Sequence, residues 1–145
     1  MTQVMDPNAY RVLNQRSNFT PAVTFGGNAV GVTYNTTTDP TVGHYILIGD
    51  MCFFDLKIVL TNNGSSTGAL KVTNLPFTAN SATSASIAVN NLNGAVTDTH
   101  YQAIIEASTT SISLSQVISG TLTNLLDTDT LNNTNLWISG SYQIQ

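Results

Sequence analysis

The sequence predicts an all-β protein, a jelly-roll-like antiparallel β-sandwich, with a small barrel as the alternative. Beyond Phe19, apolar and polar residues alternate with period two in one segment after another, and no segment there has a helical period. Turn-forming pairs separate these segments: Gly26-Gly27, Asp39-Pro40, Asn63-Gly64 and Asn93-Gly94. The 145 residues suit one domain with a sizeable core.

The first 19 residues differ from the rest of the chain and are predicted to form a short N-terminal arm. Asp6-Pro7 is typical of a helix start, with an N-cap residue followed by Pro at the first helical position. We expect the arm to attach to another protein through the apolar and basic residues Tyr10, Arg11, Val12, Leu13 and Arg16. A partly ordered terminus is the alternative. Residues 20–145 are predicted to form the sandwich domain.

The clearest strand is predicted over Asp50–Thr61. One face is entirely apolar, as a half-buried strand requires: Cys52, Phe54, Leu56, Ile58 and Leu60. Asp55 and Lys57 fall on the opposite face. Phe53 and Val59 are apolar residues on that second face, so we predict that a neighbouring subunit covers them.

Further strands are predicted by the same alternation. They include segments around Ala85–Val89, Tyr101–Ile105, Ile112–Ile118 and Leu136–Ile144, and shorter ones at Val23–Phe25, Ala29–Tyr34, Tyr45–Ile48 and Leu70–Thr73. In the last long strand, Trp137 shares its face with Ser139, Ser141 and Gln143. Trp137 is therefore predicted to lie at a subunit interface or a ligand site, with simple exposure as the alternative.

Composition excludes several classes of function. Charged residues make up 8% of the chain, and polarity comes instead from 13 Ser, 22 Thr and 16 Asn. A net charge of -4 with four basic residues argues against nucleic-acid binding, which needs Lys and Arg to neutralise phosphates. We expect no membrane insertion and no signal peptide, because the sequence has neither a long apolar run nor the pattern of a signal segment. Cys52 is the single cysteine, which excludes an internal disulfide and a thiolate-rich metal site.

The segment GSSTG, Gly64 to Gly68, matches the G-x-S-x-G pattern of a hydrolase nucleophile elbow. Such an elbow needs a strand before the serine and a helix after it, whereas the residues that follow Gly68 have the pattern of another strand. Asp98 and His100 complete the chain order of a triad, but they lie two residues apart on one predicted strand. We therefore predict a hairpin loop at Ser66 and no enzymatic activity.

The other polar residues form no pattern typical of a catalytic site. The candidate acids for glycoside hydrolysis are scattered along the chain: Asp50, Asp55, Asp98, Glu106, Asp127 and Asp129. His44 and His100 are isolated. Alternating acids and Asn residues over 125–135 offer oxygens to a cation such as calcium, but a solvated loop is the preferred interpretation. We predict no metal and no cofactor.

The segment from Gly43 to Phe77 resembles the C-terminal tip, or knob, domains of phage tail fibres and tailspikes. The residues that match are Gly43, Tyr45, Ile48, Gly49, Asp50, Gly64, Ser65, Ser66, Thr67, Gly68, Leu75, Pro76 and Phe77. Residues 20–36 are similar to the strand pair that often precedes this block. The resemblance implies a jelly roll like those of complement C1q and tumour necrosis factor, a homotrimer, and a virion-surface role in binding host glycans or other receptors. It transfers no catalytic residue.

The leading hypothesis is therefore a trimeric phage protein that displays a knob on the virion surface, on a tail fibre or the capsid exterior, for host adsorption. Fibres of this kind carry a long stalk, whereas 19 residues precede the predicted domain here. A capsid decoration protein, or head fibre, that stabilises the shell is the first alternative. A small carbohydrate-active hydrolase is the second.

Overall fold

A computed structural model describes residues 15–92 and 100–145. These ranges contain eleven strands and one short 3-10 helix, Asp127–Asp129, and no α-helix. The strands are β1 (Ser17–Phe19), β2 (Ala22–Phe25), β3 (Val32–Tyr34), β4 (Val42–Ile48), β5 (Met51–Asn63), β6 (Leu70–Thr73), β7 (Thr83–Leu92), β8 (His100–Ile105), β9 (Ile112–Ile118), β10 (Thr121–Asn124) and β11 (Thr130–Gln143). Within the same ranges, no helix is long and apolar enough to cross a membrane. The predicted all-β class is confirmed.

The strands form one curled antiparallel sheet in the order β1-β4-β5-β11-β7-β8-β9-β6-β2, with β3 added to β5 and β10 to β9. Strand β7 is the corner, because residues 86–90 pair with β11 and residues 83–85 pair with β8. The front sheet, as we call it, consists of β1, β4, β5, β11 and residues 86–90 of β7. The back sheet consists of residues 83–85 of β7 with β8, β9, β6 and β2. Their facing surfaces enclose the core as in a sandwich.

The core confirms the period-two pattern. All five residues of the predicted apolar face of β5 are at most 5% exposed. Leu136, Ile138 and Tyr142 on β11 continue this layer, and residues of β8 and β9 pack against it from the back sheet. The Tyr142 hydroxyl donates to the Phe77 carbonyl at 3.0 Å and accepts from the Phe77 amide at 3.3 Å, so the predicted Leu-Pro-Phe segment is fastened to the core.

Three predicted boundaries are corrected. The expected strand Ala29–Tyr34 begins only at Val32, because Gly31 has φ +75° and breaks the extended chain. The expected loop over 125–135 contains the 3-10 helix and then enters β11 at Thr130, with a bulge between Thr130 and Asn135. Strand β10 was not predicted, because its residues are exposed and carry no apolar alternation.

Strand β1 lies within the residues assigned to the arm and pairs with β4. Phe19 stands opposite Gly43, and a Cβ atom added to Gly43 would lie 2.4 Å from the Phe19 ring. The ring therefore covers the strand glycine and takes the place of its missing side chain. This cross-strand contact explains why the sheet begins before the predicted domain boundary.

The sandwich has two distinct ends. Antiparallel pairing places Ser17 closer than Phe19 to the β4–β5 turn, so residues 15 and 16 lie towards the end that holds this turn and the C-terminal residues. We call this the arm end. The opposite end, the loop end, holds the connections over residues 26–31, 64–69 and 125–129.

Candidate functional site

The GSSTG segment crosses from one sheet to the other. Strand β5 pairs with β3, β4 and β11, whereas β6 pairs with β2 and β9, so the predicted hairpin is wrong. The prediction of a strand on both sides is confirmed, and the element that directly follows Gly68 is strand β6. The Ser66 hydroxyl oxygen accepts a hydrogen bond from the Val30 amide at 2.8 Å. Ser66 therefore joins two loops, and it lacks the strand–turn–helix setting of a nucleophile.

Most candidate carboxylates accept hydrogen bonds from groups of the protein itself. Asp50 accepts from Gln143 at 2.6 Å, Glu106 from Lys71 at 2.7 Å, Asp127 from the Gly68 amide at 2.7 Å, and Asp129 from the Leu126 amide at 2.8 Å. Asp98 lies outside the described residues. Within residues 15–92 and 100–145, no three His, Cys, Asp or Glu side chains form a group that could hold a metal ion.

A groove of about 500 Å³ lies on the outer face of the front sheet. Strand register builds it from two rows of side chains that cross the sheet. The upper row is Val42, Lys57, Trp137 and Ala88, and the lower row is His44, Asp55, Ser139 and Ser86. Four strands therefore bring together residues that are far apart in the sequence. Most ligand pockets in proteins have volumes of about 300–1,000 Å³.

The charged groups at the groove are paired with one another. The Lys57 ammonium lies 5.3 Å from the centroid of the Trp137 ring and also donates to the Asp39 carboxylate. His44 Nδ1 lies 3.1 Å from Asp55 Oδ2, and Arg16 approaches the same oxygen at 3.5 Å. The cations Lys57 and Arg16 thus each face a carboxylate, Asp39 and Asp55 respectively. Lys57 is also held beside the indole ring by a cation–π contact.

The predicted interface residues lie at three different levels of exposure. Phe53 is 44% exposed and Trp137 is 38% exposed, both on the outer face of the front sheet. Val59 is 7% exposed within its own chain, where its backbone bonds to Thr41 and Asn35, so it has little surface left for a partner. Among the predicted arm residues, Arg16 is exposed and bonded to Asp55, whereas Tyr10, Arg11, Val12 and Leu13 lie outside the described residues.

The sequence did not indicate that apolar residues of β4 join Phe53. Ile46 is the cross-strand neighbour of Phe53, and Ile48, 54% exposed, lies on the same face. The three side chains form an apolar patch on the lower front sheet, near the arm end. The groove residues His44, Asp55 and Ser139 were missed as a set because their meeting depends on strand register, which period two alone does not reveal.

Burial perturbs two groups in the core beside Phe77. It raises the pKa of the Tyr142 phenol well above its ordinary value, and it raises the pKa of the Cys52 thiol, which also bonds to Tyr142. A buried thiol with a raised pKa remains protonated at neutral pH and is a poor nucleophile. The single cysteine is therefore part of the packing.

The overall fold has a counterpart among solved structures. The Dettilon tailspike protein superimposes with a TM-score of 0.75 over 91% of this chain, at 14% sequence identity. The sandwich is similar in fold to part of that tailspike protein. The chain spans about a quarter of that protein, since 24% of the tailspike is covered. No family model and no curated protein sequence matches the chain. At this identity the similarity shows the fold alone.

Proposed function

We propose that this protein is a non-enzymatic structural component of a phage virion, which displays its sandwich as a knob on the virion surface for host adsorption. The observation that carries this proposal is the similarity of 91% of the chain to part of a tailspike protein. The Gly43–Phe77 segment supports the same role, because it resembles tail-fibre and tailspike tips in sequence and includes the fastened Phe77.

The two ends of the sandwich suit two different roles, attachment to the virion and contact with a receptor. The chain enters β1 from the arm end, so we propose that residues 1–14 attach the protein to other virion proteins there. The loop end points the opposite way and carries few charges, with Asp127 and Asp129 already bonded to backbone amides. The groove on the outer face of the front sheet and the loop end are therefore the surfaces available to a host receptor.

We further propose a homotrimer, assembled through the apolar patch of Ile46, Ile48 and Phe53. Exposed apolar residues that lie together mark contact surfaces more often than scattered ones do. Val59 contributes to the fold of its own chain. Trp137 lies above the patch, outside the proposed contact.

The experiment that tests the role is assembly of virions with and without the protein. Mass spectrometry and labelled antibodies should detect the protein on the exterior of purified virions. Deleting residues 1–14, which leaves β1 intact, should abolish incorporation while the isolated domain keeps its stability. Virions that lack the protein should adsorb more slowly to host cells. Loss of capsid stability with normal adsorption would instead favour the decoration protein, and absence from virions would contradict both.

A further inference from the structure

We infer that the groove around Trp137 is a binding site for an uncharged saccharide. This inference deepens the proposed adsorption role and rests on it only in that the groove must face outward on the virion. Trp137 is 38% exposed in the groove, although tryptophan residues are highly buried on average. Aromatic side chains with one wet and one apolar side are typical of binding surfaces.

The polar groups around the ring match the hydroxyl groups of a sugar. Ser86 and Ser139 lie in adjacent strands directly across from each other, and each hydroxyl both donates and accepts. His44 and Asp55 continue the same row on the other side of Ser139. The groove thus offers an apolar ring above a line of hydrogen-bonding side chains. A pyranose has the same two properties, an apolar C–H face and a rim of hydroxyls.

The charges indicate that the ligand is neutral. Lys57 is engaged by Asp39, and Asp55 is engaged by His44 and Arg16, so no free charge remains for an acidic sugar. An anionic ligand would lie close to the Asp39 and Asp55 carboxylates and be repelled by them. A neutral hydroxyl can add a hydrogen bond to either pair without breaking it.

The same charges argue against a second copy of the chain as the occupant. A subunit seated on the groove would remove two ion pairs from water, and this desolvation cost often exceeds the Coulombic gain. A saccharide leaves the carboxylates and cations hydrogen-bonded and partly hydrated. The Ile46–Phe53 patch below the groove borders only the Arg16–Asp55 pair and presents more apolar surface, so it suits a subunit contact better.

Trp137 is the single tryptophan of the chain, so intrinsic fluorescence reports on this groove alone. We would titrate the full-length protein with four neutral tetrasaccharides, namely cellotetraose, maltotetraose, mannotetraose and chitotetraose, with tetragalacturonate as the acidic control. At least one neutral sugar should shift the emission in a saturable way that is equal at low and high salt. Calorimetry should give the same affinity.

Three variants test the assignment. Trp137→Ala, read by calorimetry, and Ala88→Leu, which fills the groove floor and keeps the fluorophore, should each weaken saccharide affinity about tenfold or more. Val30→Ser is the control and should leave it unchanged, because Val30 is 64% exposed at the loop end, outside both the groove and the proposed subunit contact.

Binding of none of the neutral sugars, or tighter binding of tetragalacturonate, would overturn the inference. An emission that changes with protein concentration and not with sugar would assign the groove to a second copy. Saccharide binding by a protein absent from virions would contradict the proposed virion role and leave the groove assignment standing.

Discussion

Gly64 has φ +77°, and a Cβ atom added to it would lie 2.3 Å from the Val30 carbonyl oxygen. We predict that Gly64→Ala lowers the free energy of unfolding by about 3 kcal/mol or more, because left-handed strain and a backbone clash add. Urea denaturation measures the change. Gly49→Ala is the matched control, since Gly49 has φ +63° but nothing within 4 Å of the added atom. Gly49→Ala should lower the free energy of unfolding by only about 1–2 kcal/mol. An equal loss in the two variants would contradict the close contact between the loops of Gly64 and Val30.

Ser66 provides a second test of the same loop. Ser66→Ala removes the acceptor for the Val30 amide and should destabilise the protein by about 1 kcal/mol. Ser65→Ala is the control, because the Ser65 backbone bonds to Val30 while its side chain is exposed. Thermal unfolding of both variants measures the difference. A change in host adsorption by Ser66→Ala without any change in stability would instead point to chemistry at the hydroxyl.

Tyr142 predicts how stability depends on alkaline pH. Burial raises the pKa of its phenol above the value of 10.0 that it has when unfolded. The folded state therefore holds the proton more tightly, so stability is fully present below pH 10 and is lost as pH rises above it. Tyr142→Phe should cost about 1–3 kcal/mol at neutral pH, because both bonds to Phe77 are lost. Its stability should then fall less steeply above pH 10 in urea denaturation, and an unchanged slope would contradict this account.

At the scale of elements, the contact between Phe19 and Gly43 ties β1 to the front sheet. Phe19→Ala should cost about 2 kcal/mol through lost apolar burial. Gly43→Ala should also destabilise the wild-type protein, because the new Cβ meets the ring at 2.4 Å. In the Phe19→Ala background the same Gly43→Ala change should be stabilising by about 0.5–1 kcal/mol, since a strand interior favours Ala over Gly. A double-mutant cycle that gives additive effects would contradict ring coverage of the glycine.

Strand β5 and the groove differ in how far the sequence predicts them. The alternation from Cys52 to Leu60 identifies a strand and its buried face, because burial on one side imposes period two. The groove depends on which residues of four strands stand side by side, and that follows from register. Val59 illustrates the same limit, since it lies on the outer face yet is covered by residues 35–41 of its own chain.

At the scale of the whole molecule, sedimentation tests the proposed trimer. Phe53→Ser should shift the mass measured by sedimentation from trimer towards monomer, because it removes the centre of the apolar patch. Val30→Ser is the control, since Val30 is 64% exposed at the loop end, away from the proposed contact. A wild-type protein that sediments as a monomer would rule out the trimer.

The loops of the loop end are joined mainly through backbone atoms. The Ser65 amide donates to the Val30 carbonyl, and the Gly26 amide donates to the Ala69 carbonyl. A Cβ atom added to Gly26 would lie 2.4 Å from the Thr67 carbonyl oxygen, so no side chain fits there. The loops are therefore held together without the exposed side chains at positions such as Asn28, Ala29 and Thr67. The surface of the loop end can therefore vary in sequence while the scaffold beneath it is kept.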